Sequence, residues 1–454
     1  MFSIAMWKHL KAVFTLMVAI VAIAILSPPA YAVPSFGRQT GMACAACHTV
    51  IPELTAFGRQ FKLRGYTLGN QLDDKAFPAN LPLSASLIAS RTDVNNTQGS
   101  DPTTDFERNN EVILQTAAVY YGGKITSKSG AFAQYNYDGI ERKWAIEMVD
   151  VRYADATTIH EKELLYGVTL NNGPTLQDVW NSAPMWSFPH LPDAGVMPPI
   201  ATVLDMSLAQ KAGGLGVYGF WDNTLYAEFS FYHTARQGLL EPLGAGVTTD
   251  LVVHGYAPYW HLMFNREMGA HNVASGIHGM TTDIQLDAND PGSPTDRYRD
   301  LSYDAQYQYV GLTHIFTTDA LWIRERINWD ASFPAGMASN PADVLHTFKM
   351  NVHYWYQRRV GGGIGYFSTW GGSDMMKYAM STAPSAMGNA TGSPDSRGRI
   401  VEVNYLPLKD VQNLKLGLRR TWFGKFNGAR SNYNGFGRDA ADNNTTFLYG
   451  QLLF

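Results

Sequence analysis

Thr446-Phe-Leu-Tyr-Gly-Gln-Leu-Leu-Phe454 decides the fold. Alternate residues Leu448, Leu452 and Phe454 share one face, the period of two expected of a β-strand. An apolar outer face that ends on an aromatic side chain is what the closing strand of a transmembrane barrel should present.

The same alternation recurs upstream. In 224–233, Leu225, Ala227, Phe229 and Phe231 oppose Tyr226, Glu228 and Ser230. In 347–356, Phe348, Met350, Val352, Tyr354 and Tyr356 oppose Thr347, Lys349, Asn351 and His353. In 413–419, Leu414, Leu416 and Leu418 oppose Asn413, Lys415, Gly417 and Arg419. Soluble sandwiches give this signal too, so the connections have to discriminate. Long ones near 94–110, 139–146, 173–211, 235–257, 286–299, 331–343, 372–396 and 425–443 take turns with short ones near 125–129, 157–160, 221–223, 267–270, 316–318, 358–359 and 407–412. Barrels of the outer membrane have long external loops and tight periplasmic turns, and a sandwich has no reason to keep that order. The expectation is an all-β chain, an antiparallel transmembrane barrel of about sixteen strands over residues 81–454.

Composition agrees. The chain holds 42 Gly, 24 Tyr and 11 Trp with only 16% charged residues, as a turn-rich and aromatic β protein would. A net charge of −4 gives no reason to expect a nucleic-acid partner. Lys8 and Lys11 precede an apolar run from Ala12 to Leu26 that leads to Ala30-Tyr31-Ala32, so residues 1–32 read as a signal peptide for export.

Two cysteines lie three positions apart in Met42-Ala-Cys-Ala-Ala-Cys-His48. Cys-x-x-Cys-His lets two thiols add to the vinyl groups of haem while the adjacent imidazole reaches the iron. Cys44 and Cys47 are therefore the expected covalent attachment points of one haem c, with His48 as proximal iron ligand. A thioredoxin-type redox pair would need a βαβ context, and a zinc site a further ligand pair. Residues 33–80 become a monohaem cytochrome c segment ahead of the barrel. Within them His48 is the only histidine and Met42, too close to the attachment loop, the only methionine. The distal ligand must then come from elsewhere in the chain, from an unusual donor or from solvent, and the segment must pack into the barrel, plugging its periplasmic end. Alternation puts His353, His261 and Met263 on lumen-facing positions, which makes them distal candidates.

Segment 34–68, from Pro34-Ser-Phe-Gly-Arg-Gln-Thr-Gly-Met-Ala-Cys-Ala-Ala-Cys-His48 through Pro52-Glu53-Leu54 and Phe57-Gly58-Arg59, resembles the haem domain of fused monohaem cytochrome-porins. These outer-membrane proteins are best known from iron-oxidising bacteria. The resemblance implies that Fe(II) is the electron donor at the cell surface, that electrons pass through the haem, and that a periplasmic cytochrome or copper protein accepts them. It makes the chain an Fe(II)-oxidising electron-transfer protein embedded in outer-membrane lipid. The alternatives are a haem-plugged porin that serves another donor or passes solutes, and a soluble haem enzyme. Asp101, Asp105 and Glu107 offer hard oxygen ligands in an expected external loop. Arg59, Lys62 and Arg64 are candidates to offset the haem propionates.

Overall fold

The computed structural model describes residues 34–68, 82–96, 110–184, 187–234, 251–378, 384–408 and 413–454. The expected signal peptide, the acidic loop residues Asp101, Asp105 and Glu107, and the end of the 33–80 segment lie outside them. Three short helices open the described chain: α1 Pro34–Thr40, α2 Cys44–Cys47 and α3 Ala56–Leu63. The strands come after them as β1 Leu83–Val94, β2 Val112–Lys124, β3 Ser129–Asp138, β4 Lys143–Ile159 and β5 Lys162–Asn171. Next come β6 Gly213–Trp221, β7 Leu225–His233, β8 Ala257–Met268, β9 His271–Gln285, β10 Thr295–Val310 and β11 His314–Asn328. The last five are β12 Ala342–Tyr356, β13 Val360–Gly371, β14 Ser396–Tyr405, β15 Leu414–Lys425 and β16 Thr445–Leu453. A two-residue piece, Val253–His254, runs into β8 past Gly255 at φ +67° and pairs with β9. It is the start of β8 interrupted by a kink, so the strand count is sixteen.

Each strand pairs antiparallel with the next, and β1 pairs with β16 from Ser86↔Leu453 to Val94↔Thr445. The sheet thus closes on itself and leaves no edge. Burial along the strands is the reverse of a soluble protein's. In β7 the apolar set Leu225, Phe229 and Phe231 is exposed on the outside, while Tyr226, Glu228 and Ser230 are shut inside. Leu215 at 59%, Ile364 at 58%, Val217 and Val403 at 55% and Leu262 at 51% exposure continue that apolar band on β6, β13, β14 and β8. A closed barrel with an apolar belt and a polar interior satisfies its backbone internally and turns its greasy face to lipid, so the fold is a transmembrane barrel.

The connections alternate as expected, except that the short one expected near 316–318 is the turn 311–313, because residues 316–318 already belong to β11, and that one connection differs in size. Residues 139–142 make a four-residue turn, because Lys143-Trp144-Ala145 already belongs to β4. Another difference is of place. The connection 172–212 folds into the lumen instead of standing outside it. Trp180 is 1% exposed and gives its indole N–H to Asn265 Oδ1 at 3.1 Å. Backbone N–H groups of Val203 and Leu204 donate to Glu325 at 2.6 Å and Asp300 at 2.8 Å on the wall. A buried loop needs such partners for its peptide groups, and the polar lumen supplies them.

Segment 34–68 occupies the short-turn end of the lumen. Tyr66 OH donates to Asp150 Oδ2 on β4 at 2.6 Å, Tyr218 OH of β6 to Leu63 O at 2.6 Å, and Arg59 to Gln308 Oε1 on β10 at 2.8 Å. Val50 packs with Ile315, Trp355 and Leu406, next to the short connections of β10–β11, β12–β13 and β14–β15. Phe36 stacks on Tyr66 at 5.4 Å and meets Phe61 edge-on at 5.2 Å, which gives the segment a small aromatic core of its own.

Candidate functional site

Cys44 and Cys47 stand one turn apart on α2, the i, i+3 relation that puts two side chains on one helix face. Thr55 takes up the carbonyls of this single turn: its N–H donates to Cys47 O at 2.9 Å and its Oγ to Ala46 O at 2.6 Å. Thr55 also caps α3, accepting from Gly58 N at 3.2 Å. Gly58 allows the two helices to touch, since a Cβ there would lie 2.1 Å from Cys47 O. From the wall, Arg358 reaches His48 O at 2.9 Å and Thr49 O at 3.3 Å. The stretch from Cys44 to His48 is held from both sides.

Neither cysteine is in a disulfide. Burial, and then the neighbouring Cys44, push the Cys47 thiol up to about 11, so it is uncharged at neutral pH. Burial pulls His48 down to about 4, against a smaller upward pull from the backbone of Pro52 and Glu53. Its imidazole is neutral, the form that binds metal, and Nδ1 is shut off from solvent without a hydrogen-bond partner.

Cys47 and His48 line a cavity of about 970 Å³ between the segment and the barrel wall, at the upper end of the size usual for ligand sites. Phe36, Met42, Pro52, Leu54 and Phe61 bound it on the segment side, and Ile88, Tyr120, Phe132 and Met148 on the wall. Cys44 does not reach it and is fully buried one turn behind Cys47. Lys62, Lys143, Lys211 and Lys415 line the same cavity, together with the carboxylates Asp138, Glu141 and Glu147. Lys62 donates to Leu176 O at 2.6 Å, and burial, followed by the Arg152 charge, lowers it to about 8 in spite of Asp150, Asp178 and Glu228.

The three distal candidates all face the lumen, but none lines this cavity. His353 Nδ1 sits 2.6 Å from Glu53 Oε1. His261 lies with His278 beside Asp304. Met263 packs in an apolar cluster with Leu63, Leu165 and Trp180. Of the possible propionate partners Lys62 is at the cavity, Arg59 does not line it and holds Gln306 and Gln308 through Nη1, and Arg64 pairs with Glu163 at the rim. The cavity is lined instead by Met42 and by His190 from the inward connection. His190 carries no sequence signal, because an external loop and one folded into a polar lumen look alike in composition.

Glu53, from the Pro52-Glu53-Leu54 stretch, is the residue that joins the parts. Oε2 accepts from Thr49 and from Thr317 of β11, each at 3.0 Å, and Oε1 faces His353 at 2.6 Å and His190 at 3.4 Å. Burial pushes this carboxyl up, yet the His353 charge and hydrogen bonds from both histidines outweigh it and hold Glu53 well below the usual carboxylate range. One side chain of the segment therefore ties together two strands and the inward connection.

No protein-family model matches the chain, and no curated protein does. Solved structures similar to it are of outer-membrane proteins. OmpF of Salmonella typhi in complex with daunomycin is 10% identical over 82% of this chain and 97% of its own, with a TM-score of 0.44. The outer membrane channel DcaP of Acinetobacter baumannii is 10% identical over 82% and 96%, at 0.45. The anion-selective porin of Comamonas acidovorans is 11% identical over 82% and 98%, at 0.40.

Proposed function

We propose that the protein is an outer-membrane electron conduit: it takes electrons from extracellular Fe(II) and passes them through one haem c, held by Cys44, Cys47 and His48, to a periplasmic cytochrome or copper protein. The observation that carries this reading is that Cys47 and His48 line a cavity of cofactor size enclosed by segment and barrel. The donor set fits the group. A neutral imidazole, the Cys47 thiol, apolar walls and four lysines that outnumber the carboxylates Asp138, Glu141 and Glu147 suit a covalently attached, dianionic porphyrin, and Cys44, buried one turn behind Cys47, would have to turn toward the cavity to form the second thioether. When bound, haem supplies one-electron redox chemistry at a potential set by ligation, burial and nearby charge.

The chain's own residues do the rest. Phe36, Phe61 and the apolar wall exclude water, and Lys62 stands ready to neutralise a propionate. Glu53, Arg59 and Tyr66 fix the segment to the barrel at the short-turn side, which faces the periplasm when the long loops face out. The barrel closes its own edges across the bilayer, so electrons have a protein-lined passage and insoluble ferric product stays outside.

The test is stopped-flow absorption of the purified holoprotein in detergent mixed with Fe(II). Reduction of the haem bands is expected. Oxidised haem that stays oxidised at a pH where iron oxidation is feasible would sink the iron reading while leaving the cytochrome in place. The polar lumen favours one second reading, a haem-plugged porin for another donor or for solute passage. It requires ion conductance in planar bilayers, which the plugged conduit should not show.

A further inference from the structure

Apart from the cavity, three consecutive strands bring His261 of β8, His278 of β9 and Asp304 of β10 together on the lumen face. Register sets His261 opposite His278, and Asp304 two residues along from Ser302, the partner of His278. His278 Nδ1 is 2.8 Å and His261 Nε2 3.3 Å from the same oxygen, Asp304 Oδ2. Both imidazoles are fully buried and Asp304 is 3% exposed.

Hydrogen bonding within the cluster leaves three of its atoms unused. His261 Nδ1, His278 Nε2 and Asp304 Oδ1 are buried without a hydrogen-bond partner. Buried polar atoms are normally paired, so three orphans in one cluster point to a missing ligand. A second observation lies beside it. A Cβ on Gly276 would stand 2.9 Å from both Asp304 Oδ1 and His261 Nε2, so glycine at this position is what lets the two groups close on each other over the strand. Glu228, opposite His261 on β7, adds a carboxylate whose oxygens are already held by Tyr226 and Ser230. The surroundings favour a cation.

We propose that His261, His278 and Asp304 bind one divalent first-row transition-metal ion through two imidazole nitrogens and one carboxylate oxygen. One ligand atom from each residue lies within 4.8 Å of the others, so small side-chain rotations bring them to the ~2.0–2.2 Å of metal bonds. Two histidines and a carboxylate suit zinc or ferrous iron and leave positions for other ligands. The ion would pin three strands together inside the wall, independently of the haem.

Zinc is the probe, because it is redox-silent and counted separately from haem iron. The full-length holoprotein in detergent is stripped with chelator, loaded with Zn²⁺, dialysed and assayed for metal by mass spectrometry. One zinc per chain is expected. Affinity should fall at least tenfold in His261→Ala and Asp304→Asn and stay in His353→Ala, which disturbs only the Glu53 cluster. Zinc that is absent from the wild type, or that is lost with His353→Ala and kept with His261→Ala, overturns the proposal. Should the two variants fail to fold, zinc-edge X-ray absorption of the zinc-loaded His353→Ala protein, in which the other pair of histidines is broken, decides: scattering from two imidazoles supports the site, and coordination with fewer refutes it.

Discussion

Replacing Glu53 with alanine should release segment 34–68 from the barrel without unfolding the barrel. The carboxylate is 3% exposed and meets four groups: Thr49, Thr317, His353 and His190. Three of those four lie outside the segment, on β11, β12 and the inward connection. Removing one member of a buried charge-assisted network costs about 3–5 kcal/mol, because the partners stay buried. At 1.4 kcal/mol per tenfold, the open state of the segment should gain about two to three and a half orders of magnitude in population. Amide hydrogen exchange by mass spectrometry reads this directly. Peptides covering α3, Ala56–Leu63, should exchange faster by that factor, while peptides from β11 to β13 keep wild-type protection. The sign against pH comes from the depressed carboxyl: its contribution is complete above the ordinary carboxylate range, about 4.3, and is lost only as pH falls through the lower native value. Unchanged exchange in Ala56–Leu63 would show that Glu53 is no anchor, and uniform acceleration over the barrel would show that it holds the wall instead.

Cys44→Ser and Cys47→Ser together should abolish haem that survives denaturing electrophoresis, yet leave a heat-modifiable barrel band in the same gel. Gly58→Ala places a Cβ 2.1 Å from Cys47 O, an overlap worth about 2 kcal/mol or more, and should lower the yield of attached haem measured per barrel. In the haem-free double serine variant, Lys62 pays for its burial below pH 8, and that cost disappears as pH rises from about 8 to the ordinary 10.5. Exchange of α3 should therefore slow over that window, once corrected for intrinsic rates, and Lys62→Met should remove the pH dependence. Val217→Arg, at the middle of β6 on the lipid side, should cost about 2–4 kcal/mol of folding into bilayers, read as a fall in the folded fraction in urea titrations.

The barrel was legible because its cause is periodic. Lipid outside and polar groups inside force the alternation at every strand, and the two ends of the strands face different compartments, which separates long connections from short ones. Sixteen strands result from those two rules. The error at 139–146 has a local cause: Glu141-Arg142-Lys143 looks like a solvated loop, whereas Lys143 already begins β4 and sits exposed at the barrel's rim. The proposal for Cys44, Cys47 and His48 rests on sequence for another reason, since the spacing of the attachment chemistry is contained within five residues.

Neighbours across the lumen are a different matter. Alternation assigns a face, not a height or a partner. His353 and His261 do face inward, yet the first meets Glu53, 300 residues away in sequence, and the second meets His278 and Asp304. The inward fold of 172–212 was equally hidden. An element that docks on an apolar core must carry an apolar stripe, which sequence shows. One that docks on a polar wall needs only scattered donors and acceptors, here Gln177, Asp178 and Asn181, and these are also what a solvated loop contains. His190 rides on that connection to the cavity, so a distal ligand for the proposed haem is better sought in Met42 and His190, which line the same cavity as His48, than in residues selected by face alone. Replacing each by alanine and recording the haem spectrum separates them: loss of a histidine pair, loss of a methionine ligand and no change are three different spectra, and no change in either variant leaves the position to solvent.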